Sequence, residues 1–370
     1  MSDTKNERWT TGLYNNFYKE EYQIKREKKS KKYDFDKVGN EVEDGFTPFE
    51  KVNVSFNNVC FMNSSIQCFV HLVKFREIIL SLEENSNLIK ETKNLFMEMK
   101  EGKKNSSVYG IKKVLSEINN NYKYDNQEDA NEFISIFLNT ILEETKKSSD
   151  KFPKIDIDKN DIDEKKAYDK ICRRFYQKKG GSFLVDLFYG LLKEETICPN
   201  CKTRISVNFD IYNILELPIN EFKNRRDVDL KDIINSFYGK AIEFAENENC
   251  PKCGKIDKVN NITTICTLPK YFIIHFRRTV NNRYISININ YGDKIYIPKN
   301  ILDCSNDKNL KLHYSLRGVI EHSGNNLSGH YRAICLNNED QSWNTFSDTN
   351  ITRCTNYKSK IAIILLYELN

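Results

Sequence analysis

Eleven cysteines occur in the 370-residue sequence, and four of them form two pairs with the same spacing. Each pair reads Cys-Pro-x-Cys, first at residues 198–201 and again at residues 250–253. Two thiols on one tight turn are able to reach the same ion, and four thiolates complete the closed tetrahedral shell of a structural zinc site. The alternative is two unrelated turns. We predict one structural Zn²⁺, held on two separate hairpins by Cys198, Cys201, Cys250 and Cys253.

Cys60 is a further cysteine whose surroundings suggest chemistry. Apolar residues recur after it at spacings of three and four, which indicates the start of a helix. Asn57 and Asn58 precede it and are suited to cap that helix. A thiol at a helix N-terminus faces unpaired N–H groups and the positive end of the helix dipole, and both favour the thiolate. Cys60 is therefore either a nucleophile or, as free cysteines often are, a small buried hydrophobe.

A cysteine nucleophile needs a general base, and the sequence contains five histidines. His71 lies on the helix that begins at Cys60 and cannot fold back onto it, and His275 lies inside an apolar strand. His330 follows a loop rich in glycine and asparagine and precedes a strand, so its imidazole can point into a cleft. Gly329 leaves room there for a substrate backbone. On this local pattern alone, His330 is either the base or, as a lone histidine more often is, a structural residue.

The hydrophobic pattern indicates an α+β chain. Four apolar stripes of helical period begin near residues 60, 88, 111 and 130. β-branched and aromatic residues then predict strands at 205–209, 214–219, 271–276, 284–289, 314–321, 331–336 and 361–369. Residues 1–50 are polar and lysine-rich, with a basic run at 25–32, and predict a basic N-terminal extension. The charged interval 146–182 predicts a surface insertion or linker.

Composition limits the partners and the compartment. The net charge of +5 comes from 57 basic and 52 acidic residues that are interspersed along the chain. We therefore expect no nucleic-acid partner. The longest apolar stretch, residues 361–367, is too short to span a bilayer, and the N-terminus lacks a secretory signal. An odd cysteine count without such a signal predicts a reducing compartment, the cytoplasm or the nucleus. We expect no membrane partner and a monomer.

Several motifs resemble those of the ubiquitin-specific proteases. Residues 58–67, Asn-Val-Cys-Phe-Met-Asn-Ser-Ser-Ile-Gln, are similar to the family's cysteine box, Asn-Thr-Cys-Tyr-Met-Asn-Ser-x-Leu-Gln. Further resemblances are the Gln-Asp-Ala-x-Glu-Phe box at 127–133, a strand motif at 268–278, the histidine box at 314–331 and the closing Trp-x-x-Phe-Asp/Asn-Asp at 343–348. The motifs follow the family's order from about residue 51 to residue 370, and such a conjunction is highly specific.

The resemblance implies a papain-like α+β fold with a helical thumb at about 51–182, followed by an antiparallel β palm and zinc-bearing β fingers at about 183–370. It also implies a deubiquitinase whose partners are ubiquitin and ubiquitinated proteins. The Cys60 thiolate would attack the carbonyl of ubiquitin's C-terminal glycine, and His330 would transfer the proton. The alternatives are a weak or inactive ubiquitin-binding pseudoenzyme and a protease for a ubiquitin-like modifier.

Val59 replaces the usual threonine and Asn57 the usual glycine of the family's pattern, but two other departures matter more. Ser55 replaces an asparagine that helps hold the oxyanion, so Ser55 or Asn58 is the expected side-chain donor beside the Cys60 N–H. Ser347 replaces the residue that orients the histidine, and Asp348 follows it. A neutral hydroxyl cannot stabilise an imidazolium as a carboxylate does. We therefore predict that Asp348 rather than Ser347 orients His330, provided that a turn at 347–350 redirects its side chain.

Overall fold

A computed structural model describes residues 58–102, 106–124, 126–146, 182–280, 283–303, 312–324 and 329–370. The predicted N-terminal extension, the basic run at 25–32, Asn57 and Ser55 lie outside these ranges. Nearly all of the charged interval 146–182 lies outside them too. Among the described residues, none of the helices combines the length and the apolar character needed to cross a membrane.

The four predicted helices are present, and a further one lies between the first two. The helices are α1 (Cys60–Val70), α2 (Val73–Ser81), α3 (Asn87–Lys100), α4 (Tyr109–Ile118), α5 (Ala130–Thr145), α6 (Phe183–Phe188) and α7 (Leu230–Phe237). Single 3₁₀ turns occur at Asn120–Lys123, Asn220–Phe222 and Lys299–Ile301. The helices α1–α5 form the thumb. Their apolar stripes face inward, as the burial of Phe133, Phe137 and Ile141 on α5 illustrates.

The second half of the described chain is mostly β. Its strands are β1 (Gly190–Ile197), β2 (Arg204–Tyr212), β3 (Ile214–Pro218), β4 (Asp227–Asp229), β5 (Ala241–Phe244), β6 (Glu248–Cys250), β7 (Gly254–Ile256), β8 (Val259–Thr267), β9 (Tyr271–Arg277), β10 (Thr279–Val280), β11 (Arg283–Tyr284), β12 (Asn288–Asn290), β13 (Lys294–Tyr296), β14 (His313–Gly324), β15 (Gly329–Leu336), β16 (Trp343–Ser347), β17 (Asn350–Cys354) and β18 (Ala362–Leu369). The α+β class predicted from the sequence is confirmed.

The palm is a sheet in the order β17-β16-β15-β14-β18-β9-β3, with β13 paired to β14. The prediction of an antiparallel palm is wrong for one pair, because β3 and β9 run parallel. The chain leaves the palm at Pro218, builds α7 and the strands β4 to β8, and returns at Tyr271. A connection of that length allows parallel pairing, which a short hairpin would not.

The fingers consist of a sheet in the order β2-β1-β8-β5 and the hairpin β6–β7. Their tip has a small apolar cluster of its own, made of Cys198, Cys250, Ile256 and Val259, separate from the main core. Such a cluster buries little apolar surface and contributes little stability by itself. The fingers therefore need another source of order at the tip.

Helix α1 is enclosed by protein on all sides. Ten of its residues are buried, because it packs against α2 and α5 on one side and against β14, β15 and β16 on the other. Phe61 and Phe69 pack against the phenylalanine rings of α5. On the sheet side, a Cβ at Gly318 would lie 3.0 Å from the Cys68 sulfur, so a glycine in β14 permits the close approach. The thumb and the palm thus share one core.

Arg278 explains why the strand predicted at 284–289 is interrupted. Its guanidinium is buried and donates hydrogen bonds to the carbonyl oxygens of Ile285, Ile287 and Ala362. The carbonyls of residues 285 and 287 therefore bond to a side chain instead of a neighbouring strand. Strand pairing stops at Tyr284 and resumes at Asn288.

Candidate active site and metal centre

Cys60 is the first residue of α1 and is 7% exposed. The Val59 carbonyl accepts the N–H groups of Met62 and Asn63, so Val59 occupies the capping position and the helix begins without a side-chain cap. The prediction that Asn58 caps the helix is wrong. Asn58 has a φ of 68°, a conformation that asparagine tolerates, and its Oδ1 lies 3.4 Å from Gln127 Nε2.

The environment of Cys60 opposes formation of the thiolate. Burial raises the pKa of the Cys60 thiol above its ordinary value, and the negative charge of Asp348 acts in the same direction. A backbone hydrogen bond from Tyr331 favours the thiolate but does not outweigh the burial. The backbone N–H groups of Phe61 and Cys60 at the helix N-terminus do favour the thiolate, as expected, but burial outweighs them in the resting protein. Cys60 needs a base that removes its proton.

His330 lies in β15, directly before the residue that contacts the Cys60 thiol. Its Nε2 lies 2.8 Å from Ser347 Oγ, at hydrogen-bond distance. Asp348 Oδ2 lies 3.9 Å from the same nitrogen. Because Nε2 faces Ser347, Nδ1 is the nitrogen that remains to take up the thiol proton.

The hydrogen bond contradicts the prediction that Asp348 orients His330 in place of Ser347. The predicted turn does exist, since Ser347 pairs with Asn350 and Asp348 adopts a φ of 49° between them. It brings the carboxylate toward the imidazole. However, Asp348 Oδ1 accepts a hydrogen bond of 2.8 Å from Asn63 Nδ2 in α1, and Ser347 occupies the contact with the ring.

Two of the other histidines lie away from the thiol. His71 is buried at the end of α1, where its Nδ1 lies 2.7 Å from the Gln67 carbonyl oxygen and burial lowers its pKa to about 4. His275 lies 3.4 Å from Glu216 within the palm. Neither position suits a base for Cys60, in agreement with the sequence analysis.

Three residues that the sequence analysis left without a role lie around Cys60 and His330. Asn63 holds Asp348, as described above. His322 stacks on Tyr331 at a ring-centroid distance of 4.4 Å, and burial lowers its pKa. Gln127 bonds to the backbone of Gly329. All three belong to the motifs at 58–67, 127–133 and 314–331, and the resemblance of these motifs to the family is the sequence signal that could have identified them.

The four cysteines of the two pairs meet at the tip of the fingers. Their sulfur atoms all lie within 4.8 Å of one another, and those of Cys201 and Cys250 are 3.5 Å apart. A tetrahedral zinc with Zn–S bonds of about 2.3 Å places its sulfurs about 3.8 Å apart. The N–H groups of Lys252 and Cys253 each lie 3.4 Å from Cys250 Sγ, at hydrogen-bond distance. The group therefore fits a metal ion.

The two cysteine pairs lie on separate hairpins, as the long spacer between them predicted. Cys198 and Cys201 form the turn between β1 and β2, and Cys250 and Cys253 form the turn of the hairpin β6–β7. Both turns are separate from the elements that carry Cys60 and His330.

Residues 52–367 match the family model described as ubiquitin carboxyl-terminal hydrolase. The chain belongs to this family. A relative in the ubiquitin carboxyl-terminal hydrolase family, Usp2 of Drosophila melanogaster, is 28% identical over 327 residues, which cover 85% of this chain and 34% of the relative. Ubiquitin carboxyl-terminal hydrolase 2 of Homo sapiens is 26% identical over 336 residues, covering 85% of this chain and 54% of the relative. The matched region thus spans about a third to a half of these relatives.

Solved structures show the same fold. A SAGA Ubp8/Sgf11/Sus1/Sgf73 DUB module bound to ubiquitin aldehyde superposes with a TM-score of 0.66 at 19% identity, covering 87% of this chain and 70% of that chain. A variant of the same SAGA DUB module bound to monoubiquitin has a TM-score of 0.66 at 18% identity, covering 90% of this chain and 72% of that chain. The ubiquitin-specific protease fold expected from the motifs is therefore confirmed.

The raised pKa of the Cys60 thiol gives a pH prediction. In a His330→Ala variant, iodoacetamide should alkylate Cys60 slowly at neutral pH, and the rate should still be rising above about pH 8.5, where an ordinary thiol levels off, because burial raises the pKa of the Cys60 thiol. Mass spectrometry of the peptide containing residue 60 measures the rate separately from the other cysteines. Rapid alkylation of the variant at pH 7 would show that the helix N-terminus alone produces the thiolate.

Proposed function

We propose that this chain is a cysteine-type deubiquitinase that hydrolyses the peptide or isopeptide bond after the C-terminal glycine of ubiquitin. One observation carries the proposal. The Cys60 thiol at the start of α1 receives a backbone hydrogen bond from Tyr331. Tyr331 directly follows His330, whose Nε2 is hydrogen-bonded to Ser347 Oγ. Membership of the ubiquitin carboxyl-terminal hydrolase family supports the same reaction and substrate.

In the proposed reaction, His330 Nδ1 takes the proton from Cys60 Sγ as the sulfur attacks the carbonyl carbon of the terminal glycine. The tetrahedral intermediate then collapses to a thioester, and the leaving lysine amine receives the proton from His330. Water attacks the thioester with His330 again acting as base. This step returns Cys60 to the thiol and releases ubiquitin with a free carboxylate.

The oxyanion of each tetrahedral intermediate needs hydrogen-bond donors. The Cys60 N–H lies in the first turn of α1, where N–H groups have no partner within the helix. The side-chain amide of Asn58 provides a second donor. Its oxygen faces Gln127, and its Nδ2 is the atom that can donate a hydrogen bond. We propose Cys60 N–H and Asn58 Nδ2 as the oxyanion hole, with Ser55 as a further donor from outside the described residues.

A ubiquitin-binding pseudoenzyme is the second candidate, and Ser347 is the observation that favours it. The His330 ring has a neutral hydroxyl as its hydrogen-bond partner, and a hydroxyl stabilises an imidazolium less than a carboxylate does. The carboxylate of Asp348 lies only 3.9 Å away and partly compensates. We therefore favour an active enzyme.

A ubiquitin probe with a thiol-reactive group at its C-terminus tests the proposed function. We expect one covalent adduct at Cys60 and turnover of a fluorogenic ubiquitin reporter. Both should be lost in Cys60→Ala and retained in Cys354→Ala, a cysteine on β17 with no part in the proposed reaction. Adduct formation without turnover would identify the pseudoenzyme. Turnover by Cys60→Ala would refute the assignment of the nucleophile.

The contact between Ser347 and His330 leads to a second prediction about turnover. Ser347→Ala should lower kcat about tenfold, because losing one hydrogen bond costs about 1.4 kcal/mol. Ser347→Asp should raise kcat, because a charge-assisted hydrogen bond is roughly twice as strong as a neutral one. Steady-state kinetics with the ubiquitin reporter measure both effects.

Asp348→Asn provides the comparison. It should reduce kcat less in the Ser347→Asp background than in the wild type, since a carboxylate would then bond the ring directly. If Ser347→Ala has no effect while Asp348→Asn abolishes turnover, Asp348 is the functional partner of His330 after all.

We also propose that Cys198, Cys201, Cys250 and Cys253 bind one structural zinc ion. Two observations support the proposal. The four sulfur atoms lie close enough together to share one ion, and the tip of the fingers has only a small cluster of buried apolar residues. Four metal-bound thiolates leave no open position, so the metal has no part in catalysis. Thiolates must stay reduced to bind the ion, and we accordingly propose a cytoplasmic or nuclear location.

Removal of the metal should disorder the fingers but leave the core intact. Purified protein should contain about one zinc per chain, and a chelator or Cys250→Ser should lower the melting temperature and raise KM for ubiquitin more than it lowers kcat. Elemental analysis and calorimetry measure these effects, with Cys354→Ser, at a partly buried cysteine, as a control. Folded, active protein without metal would contradict the zinc proposal.

A further inference from the structure

The side-chain amide of Gln127 bonds to both polar groups of one residue in the palm. Gln127 Nε2 donates to the Gly329 carbonyl oxygen at 2.9 Å, and Gln127 Oε1 accepts the Gly329 N–H at 2.9 Å. The amide therefore contacts Gly329 as a paired strand residue would. This is a direct link from the thumb to the strand that carries His330.

Gly329 is held from a second side as well. It is the first residue of β15 and pairs with Gly324 of β14. A Cβ at residue 329 would lie 2.1 Å from Nε2 of His322, so the His322 imidazole occupies the space where a side chain would be. The backbone immediately before His330 thus has little freedom to move while both contacts persist.

On the thumb side, Gln127 is attached to the elements that position Cys60. Three residues after it, α5 begins with an Asp129 cap whose side chain accepts the N–H groups of Asn131 and Glu132. Helix α5 packs against α1, which starts at Cys60. Gln127 Nε2 also lies 3.4 Å from Asn58 Oδ1, two residues before the thiol. One amide therefore joins the segments that carry the proposed nucleophile and base.

We infer that Gln127 is a positioning residue, which acts by setting the backbone of Gly329 and thereby the place of the His330 imidazole relative to Cys60. The inference rests on the proposed cysteine-protease function. Proton transfer is sensitive to such placement, since a displacement of about 1 Å can reduce the rate about 100-fold. Gln127 is exposed, so solvent competes for its hydrogen bonds and their loss should have little effect on stability.

Three variants separate positioning from folding. Gln127→Ala removes both hydrogen bonds. Gln127→Glu keeps the shape and the acceptor for the Gly329 N–H, but it places a carboxylate oxygen against the Gly329 carbonyl. Asn131→Ala is the matched control, because it removes another thumb–palm amide bond, from Asn131 Nδ2 to Glu216 Oε1 at 2.8 Å, without contacting Gly329.

We expect Gln127→Ala and Gln127→Glu to lower kcat for the ubiquitin reporter about 30- to 100-fold at pH 7. KM should change less than about twofold, and the melting temperature should stay close to that of the wild type. Asn131→Ala should retain kcat. An unchanged kcat in Gln127→Ala would overturn the inference, and so would a rise in KM alone, which would place Gln127 in substrate binding.

The glutamate variant adds a readout that a purely structural role would not produce. A protonated carboxyl has a donor and an acceptor in the places of the amide. The kcat/KM of Gln127→Glu, divided by that of the wild type, should therefore rise about five- to fifteenfold between pH 7 and about pH 5, toward the ordinary glutamate pKa of about 4.3. The ratio for Gln127→Ala should stay flat. The neighbouring titratable groups Glu128, Asp129, His322 and His330 are the same in every variant.

Failure of this inference is distinguishable from failure of the proposed function. If the reaction assignment is wrong, the wild type itself does not form the probe adduct at Cys60 or does not turn over. If only the role of Gln127 is wrong, the wild type reacts at Cys60 and Gln127→Ala matches it. A flat pH ratio for Gln127→Glu would also refute the role.

Discussion

The packing of α1 between the other thumb helices and the palm is the interaction on which the rest of the site depends. The reaction proposed for Cys60 depends on the packing of its helix against β15, the strand that contains His330. The helix is buried nearly all round, so its position is determined by contacts such as Phe61 with Phe133 and Cys68 with Gly318. A shift of α1 would disturb the main core and would be opposed by its close packing.

The same burial creates the chemical difficulty that the surrounding polar groups address. A buried thiol resists ionisation, and the Asp348 carboxylate adds to that resistance. An imidazolium at His330 would offset the second effect, because it would place a positive charge about 3.9 Å from the Asp348 carboxylate. Ser347 orients the ring without charge, and Asp348 supplies charge without the short contact. One carboxylate could provide both the short contact and the negative charge, but in this chain Ser347 makes the contact and Asp348 carries the charge.

The fingers follow a different physical principle. The sulfur cluster lies in a small apolar cluster separate from the main core, on hairpins whose turns contain the cysteine pairs. The tip buries little apolar surface, and the proposed zinc ion would order it through the four cysteine ligands. Each cysteine pair is encoded locally, and two such pairs predicted the meeting of the four residues because one zinc ion requires four thiolate ligands.

Local patterns in the sequence determined the helix that begins at Cys60, the α+β class and the two cysteine pairs, because each depends on residues close together in the chain. Tertiary structure decided what depends on distant partners. The parallel pairing of β3 with β9 follows a long excursion, and Arg278 diverts the carbonyls of a predicted strand. The helix starts at Val59 without the expected asparagine cap, because Asn58 turns toward Gln127.

The partner of His330 is the sharpest case. Sequence chemistry favoured the carboxylate, and the predicted turn at Asp348 is present. The choice between neighbouring side chains still depended on Asn63, which lies 285 residues away in sequence and holds Asp348 by a hydrogen bond. The hydrogen bonds between Gln127 and Gly329 likewise join residues that lie 202 positions apart in the sequence. Contacts of this kind arise when α1 and α5 dock on the palm, and no local spacing in the sequence records them.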